Sequence, residues 1–120
     1  MKGKKHSGFV LWLMGPSASG KTTVAALLAK LLKDYGKPVL HFDGDEIRNF
    51  FGSNLGFRSS ERLKVVSTLV HLANKASICN INVVVSALTA NEDARELVHR
   101  ELSPLIVYLS CSIETCAQRD

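Results

Sequence analysis

"GPSASGKTT", residues 15–23, follows directly on the apolar run "FVLWLM" of residues 9–14. A short apolar run of this length predicts a buried β-strand. After the loop, apolar residues recur at helical spacing and predict a helix, at Val24, Leu27, Leu28, Leu31 and Leu32. Gly-x-x-x-x-Gly-Lys-Thr between a strand and a helix is the complete phosphate-loop pattern. This stretch therefore predicts both an α/β fold and a site for a polyphosphate.

The small residues of this loop allow successive backbone N–H groups to turn inward around an anion, at the positive end of the following helix. Lys21 is predicted to reach the outer phosphates of ATP and to act in catalysis, and the Thr22 hydroxyl to bind Mg²⁺. The alternative is a glycine-rich turn with an exposed lysine. The predicted ATP-binding residues are Gly15, Ser17, Ala18, Ser19, Gly20, Lys21, Thr22 and Thr23.

Strands and helices alternate along the rest of the chain. Strands are predicted at 9–14, 38–42, 81–88 and 105–110, with helices between them. Ser59 and Ser60 are candidate caps of one helix, and Thr89 of another. The pattern predicts a three-layer α/β/α phosphate-loop kinase fold with a parallel sheet, as a single domain over 1–120 with a flexible tail at 1–7. Ligands of such sheets bind at the carboxyl ends of the strands, where "DGD" (43–45) and "SALT" (86–89) join the loop.

Composition restricts the class of protein. The chain has 120 residues, of which 46% are hydrophobic, and carries a net charge of +4. Its longest apolar run, six residues, is far short of the roughly 20 needed to span a membrane. The three cysteines favour a reduced, cytoplasmic protein. The positive charge without a basic–aromatic array favours a small anionic ligand over nucleic acid or a membrane. A homodimer is one arrangement we consider.

The segment "DGDEIR" (43–48) predicts the acceptor side of a phosphoryl transfer. A carboxylate there could accept the proton of an attacking hydroxyl or order Mg²⁺ through water, and Arg48 could hold an anionic group. The motifs of a GTPase are missing from the sequence, since "NKAS" (74–77) lacks the aspartate of a base reader, which leaves a small-molecule kinase. The alternative is that Asp45 caps a helix that buries Ile47, Phe50 and Phe51.

The chain resembles the adenylylsulfate kinases. The resemblance rests on "GPSASGKTT", "FDGDEIR", "NLGF" (54–57), Arg62, Arg95 and "ETCAQRD" (114–120), in the order and spacing of that family. It implies a cytoplasmic enzyme of sulfate assimilation that uses MgATP to phosphorylate the ribose 3′-hydroxyl of adenylylsulfate. It further implies that Asp43 and Asp45 are the catalytic and Mg²⁺-ordering carboxylates. Arg48 and Arg62 would hold the phosphosulfate, and Phe57 would pack against the base.

The sequence departs from this family on the acceptor side. Val65 stands where the family has asparagine, and "LTANE" (88–92) replaces "ISPYR". Glu92 would repel an anionic acceptor if it faced the site. The family's lid and last strand lie beyond "RD", so the chain is expected to be truncated before them. A different nucleotide-like acceptor, or a nucleotide-binding module without turnover, therefore stay open as alternatives.

Overall fold

The computed structural model describes residues 8–15, 20–52, 56, 58–89, 91–102 and 105–108. These form four parallel strands in the order β2-β3-β1-β4. The strands are β1 (Val10–Met14), β2 (Val39–Asp43), β3 (Asn82–Ala87) and β4 (Leu105–Tyr108). Each lies within one or two residues of a predicted strand. The central strands β1 and β3 are almost wholly buried, as their nearly continuous apolar runs predict, whereas β2 is only partly buried.

Helices cover both faces of the sheet and complete the three predicted layers. They are α1 (Lys21–Asp34), α2 (Gly44–Phe51), α3 (Ser59–Ile78) and α4 (Glu92–Leu102). On one face, Leu11, Leu13 and Val84 pack with Ala25 of α1. On the other face, alternate strand residues pack with α3 and α4, and this larger core includes Trp12, Met14, Val83, Val85, Leu69, Ala73 and Val98. The α/β/α fold is thus confirmed.

The predicted helix caps are wrong. Helix α3 begins at Ser59, with Arg58 as its N-cap, so Ser59 and Ser60 belong to the helix itself. The Thr89 hydroxyl is bonded elsewhere, to Trp12 and to the Ala87 carbonyl, and α4 begins three residues later. In each case a residue that favours capping is used by neighbouring structure that the local sequence does not reveal.

The alternative in which Asp45 caps a helix that buries Phe50 is also wrong. Helix α2 begins at Gly44 with Asp43 as its N-cap, so Asp45 lies in the first turn and is not the cap. Phe50 of this helix is 85% exposed, contrary to the alternative in which α2 buries it. Leu27 and Leu31 of α1 follow the helical period, yet both are exposed.

In the described part of the chain, none of the helices combines the length and apolarity that a bilayer crossing requires.

Candidate active site

The candidate site lies where β2 and β3 end side by side. Asp43, the last residue of β2, pairs in register with Ser86 of β3. The Ser86 hydroxyl donates a hydrogen bond of 2.7 Å to Asp43 Oδ1, and Ser86 is fully buried. A hydrogen bond to a carboxylate is stronger than one between neutral groups. Sheet register therefore fixes the position of the Asp43 carboxylate.

The phosphate loop meets this carboxylate through α1. Gly20 has a left-handed backbone, with φ of 90°, and leads directly into the helix. At the second residue of α1, the Thr22 hydroxyl donates to Asp43 Oδ1 at 3.1 Å. Within the described residues, Asp43 Oδ2 accepts no hydrogen bond. The two segments that the sequence analysis assigned to one edge of the sheet are therefore in direct contact.

His41 extends the hydrogen-bond network of Ser86 and Asp43, and sequence reasoning did not identify this role of the histidine. The sequence analysis gave His41 no role, and it lies two residues before Asp43 on the same face of β2. Its Nε2 lies 2.9 Å from Ser86 Oγ. Because the Ser86 proton points to Asp43, His41 must donate from Nε2 to the serine oxygen. Ser86 was part of the predicted "SALT" cluster, and only the pairing of β2 with β3 shows that it holds Asp43.

A cavity opens beside this network, and most predicted site residues that the structure describes line it. Lys21 reaches it from α1, and Asp45 and Arg48 reach it from α2. Gly44 packs so closely on β3 that a Cβ there would lie 3.2 Å from the Ala87 Cβ. The remaining lining residues are Asp43, Gly44, Arg62, Val65, Val66, Ser86, Ala87, Leu88, Thr89, Asn91 and Ala94.

The residues that depart from the family pattern divide between the cavity and the surface. Val65 is buried and forms part of the apolar cavity wall. Glu92 is exposed and is not among the described residues that line the cavity. Gly15 follows β1 and Thr23 lies in α1, and neither is among the described residues that line the cavity. The other predicted residues, Ser17, Ala18, Ser19 and Phe57, lie outside the described residues.

Thr89 is a rigid element of the cavity wall. It is buried, and its backbone is left-handed, with φ of 50°. Its hydroxyl accepts a 2.9 Å hydrogen bond from Trp12 Nε1 and donates to the Ala87 carbonyl. Arg95 of α4 donates to the Thr89 carbonyl at 3.3 Å. The residue predicted to cap α4 instead joins β1, β3 and α4 next to the site.

The segment before α3 is attached to the site through Glu61 and Arg48. Arg48 Nη1 donates to the Gly56 carbonyl at 2.7 Å, and the Gly56 N–H donates to Glu61 Oε2 at 2.7 Å. The bond from Gly56 is the main cause of a pKa of Glu61 below its ordinary value, and contacts with Arg58 and Arg48 lower this pKa further. Glu61 is therefore a carboxylate at neutral pH. The sequence analysis did not identify it.

Comparison with known proteins is consistent with this arrangement. The family model described as "Adenylylsulphate kinase" matches residues 7–120. The adenylyl-sulfate kinase of Clostridium acetobutylicum is 38% identical, with 97% of this chain aligned, and the chain spans 59% of its length. The APS kinase of Mycobacterium tuberculosis, solved with AMPPNP and APS, gives a TM-score of 0.84 at 30% identity, over 94% of this chain and 68% of that one. A hexameric APS kinase from Thiobacillus denitrificans gives 0.72 at 25% identity, over 88% of this chain and 22% of that one.

Proposed function

This chain belongs to the adenylylsulphate kinase family, and we propose that it transfers the γ-phosphoryl group of ATP to the ribose 3′-hydroxyl of adenylylsulfate. The observation that carries the proposal is the direct contact between Thr22 and Asp43, beside a cavity lined by Arg48 and Arg62. A phosphate-binding helix, a carboxylate and two cations for an anionic acceptor thus meet at one place. The solved relative with APS and AMPPNP shows that a protein of this fold holds both kinds of ligand.

The phosphate side consists of Lys21 and the start of α1. The helix begins at Lys21 after a glycine N-cap, which has no side chain that could accept from the first backbone N–H groups. These donors and the helix dipole favour phosphate oxygens at this end. Lys21 lines the cavity, where its ammonium would stabilise the charge on the transferred group. The chain thereby aligns the phosphoryl group with the acceptor cavity.

The residues next to the phosphate side fit Mg²⁺. Thr22 donates its proton to Asp43, so the lone pairs of its hydroxyl oxygen stay available to a cation. Oxygen ligands from one or two protein groups, completed by phosphates and water, are typical of Mg²⁺ sites. Thr22 would bind the ion directly and Asp43 would order it through water. When bound, Mg²⁺ neutralises charge that develops on the phosphate oxygens.

Asp43 is the proposed general base. Its Oδ1 accepts hydrogen bonds from Thr22 and Ser86, and these fix the orientation of the carboxylate. Oδ2 would then be the oxygen that accepts the proton of the acceptor hydroxyl. The 3′-hydroxyl oxygen forms a bond to the γ-phosphorus, the bond from that phosphorus to the β–γ bridging oxygen breaks, and ADP leaves. The hydroxyl proton passes to Asp43 and then to solvent. Asp45, exposed in the first turn of α2, would support the same acceptor from the cavity wall.

A second candidate is the same transfer to another anionic nucleotide. Val65 favours it, because this buried cavity residue offers no hydrogen bond where the family pattern has asparagine.

The cytoplasmic location, the homodimer and the single domain over 1–120 stay predictions from the sequence.

The experiment is ADP release from ATP and Mg²⁺ with a panel of acceptors. Adenylylsulfate, ADP and nucleoside diphosphates with modified terminal groups would be compared with a sample that contains no acceptor. Turnover that requires adenylylsulfate supports the first candidate, and turnover with another acceptor alone replaces it with the second. ATP binding without turnover for every acceptor would identify a nucleotide-binding module and refute both.

A further inference from the structure

Three residues connect the acceptor side of the cavity to the amino end of α3. Arg48 donates to the carbonyl of Gly56, whose N–H donates to Glu61, and both hydrogen bonds measure 2.7 Å. We call this chain of contacts the Glu61 bridge. Gly56 takes part with both of its backbone polar groups: its carbonyl faces Arg48 and its N–H faces Glu61. A displacement of the Glu61 carboxylate would therefore be transmitted to the guanidinium of Arg48.

The carboxylate end of the bridge is fixed at several points. Glu61 Oε1 accepts from the Arg58 N–H at 3.3 Å, while Oε2 accepts from Gly56. Glu61 lies in the first turn of α3, where the helix dipole favours a negative charge. Gly56 permits the close approach, because a Cβ on this residue would lie 2.7 Å from Glu61 Oε1.

The arginine end of the bridge lies on the cavity wall. Arg48 is half-buried in the last turn of α2 and lines the cavity together with Arg62. Arginine binds phosphate and sulfate groups through a planar fork, whose value depends on its orientation. A guanidinium tied to a fixed carbonyl loses less conformational freedom on binding than one that is mobile.

We infer that Glu61 is a positioning residue for the anionic acceptor: acting through Gly56, it sets the orientation in which Arg48 meets the phosphosulfate. This inference rests on the proposed function. Glu61 itself does not touch the acceptor. It determines acceptor affinity from outside the cavity, and the phosphate side of the site is independent of it.

The test is a comparison of steady-state constants for the intact chain and three variants. Glu61→Gln keeps the size of the side chain but loses one acceptor oxygen and the charge. We expect it to raise the KM for adenylylsulfate at least about fivefold, with little change in the KM for ATP. Gly56→Ala, which forces the carboxylate away, should reproduce this effect. Asp93→Asn is the matched control, since it removes a carboxylate from the first turn of α4, and it should change neither constant.

A double-variant comparison separates positioning from a structural role. If Glu61 acts through Arg48, Glu61→Gln should add nothing to the KM of an Arg48→Ala variant, because coupled residues are not additive. A full additional effect in that background, or a lower melting temperature with an unchanged KM, would overturn the inference.

A measurement of adenylylsulfate binding distinguishes a failure of the proposed function from a failure of the inference on Glu61. Calorimetry with adenylylsulfate as the probe would measure affinity without turnover. A wild-type chain that neither binds nor phosphorylates this probe refutes the proposed function, and the inference is lost with it. A wild-type chain that binds it with the same affinity as Glu61→Gln refutes the inference alone.

Discussion

Ser86→Ala is expected to slow phosphoryl transfer without weakening ATP binding. Ser86 is fully buried, donates to Asp43 Oδ1 at 2.7 Å and accepts from His41 Nε2 at 2.9 Å. The substitution removes one oxygen and leaves Asp43 with Thr22 as its remaining hydrogen-bond donor among the described residues. The proposed base would then be free to rotate away from the acceptor hydroxyl.

The magnitude follows from the kind of hydrogen bond that is lost. Hydrogen bonds to charged groups contribute about 1.5–3 kcal/mol. Asp43 and His41 are both partly exposed and can recover part of this energy from water, so the lower end applies. A loss of about 1.5 kcal/mol in the transition state corresponds to a decrease in kcat of about tenfold. The KM for ATP should stay the same, since the hydroxyl of Ser86 is bonded to Asp43 and His41, and the substitution leaves Lys21 and the start of α1 in place.

Initial rates of ADP release over a range of ATP and adenylylsulfate concentrations would measure both constants. Ser77→Ala is the matched control, because Ser77 is equally buried but hydrogen-bonded to the Gly8 carbonyl, far along the chain from the site. It should lower the melting temperature and leave kcat unchanged. An unchanged kcat in Ser86→Ala, or an equal decrease in both serine variants, would contradict the role assigned to this hydroxyl.

Three further predictions concern the base, the Glu61 carboxylate and the cavity wall. Asp43→Asn should lower kcat about 100-fold or more and leave ATP affinity, measured by calorimetry without Mg²⁺, nearly unchanged; a rate equal to that of the wild type would exclude Asp43 as the base. The pKa of Glu61 is lowered in the folded state, chiefly by the Gly56 N–H. Its contribution to stability is therefore complete above the ordinary value of 4.5 and disappears as the pH falls through the lower folded value. Urea unfolding should accordingly show a stability gap between wild type and Glu61→Gln at neutral pH that closes as the pH falls below 4.5, and a gap that widens on acidification would have the wrong sign. Thr89→Val leaves the Trp12 N–H without its buried acceptor and should cost about 1–3 kcal/mol in unfolding free energy; Thr89→Ser, which keeps the hydroxyl, should recover most of it.

The sheet could be predicted from the sequence because its signal is local. The apolar runs at 9–14 and 81–88 report burial on both faces, and the structure places β1 and β3 within them. The phosphate-loop pattern likewise requires a strand before it and a helix after it, and α1 begins at Lys21. Asp43 was assigned to the same edge because parallel strands present their carboxyl ends together.

The errors and omissions concern contacts between segments that are distant in the sequence. Thr89 has the spacing of a cap, but its hydroxyl is bonded to Trp12, 77 positions away. The connection between His41 and Ser86 depends on β3 lying next to β2. The Glu61 bridge depends on how α2 and α3 pack. Propensity and spacing carry no information on such partners, since each residue type is compatible with several.

The central position of β3 has a consequence for the order of folding. Strands β1 and β2 are successive in the chain but share no ladder, because β3 lies between them. A nascent polypeptide that has not yet reached residue 82 therefore lacks the strand that brings the end of β2 beside the loop. Closure over such a sequence separation is entropically costly and slow. The contact between Thr22 and Asp43 is consequently expected to form only at a late stage, after synthesis has passed Ala87.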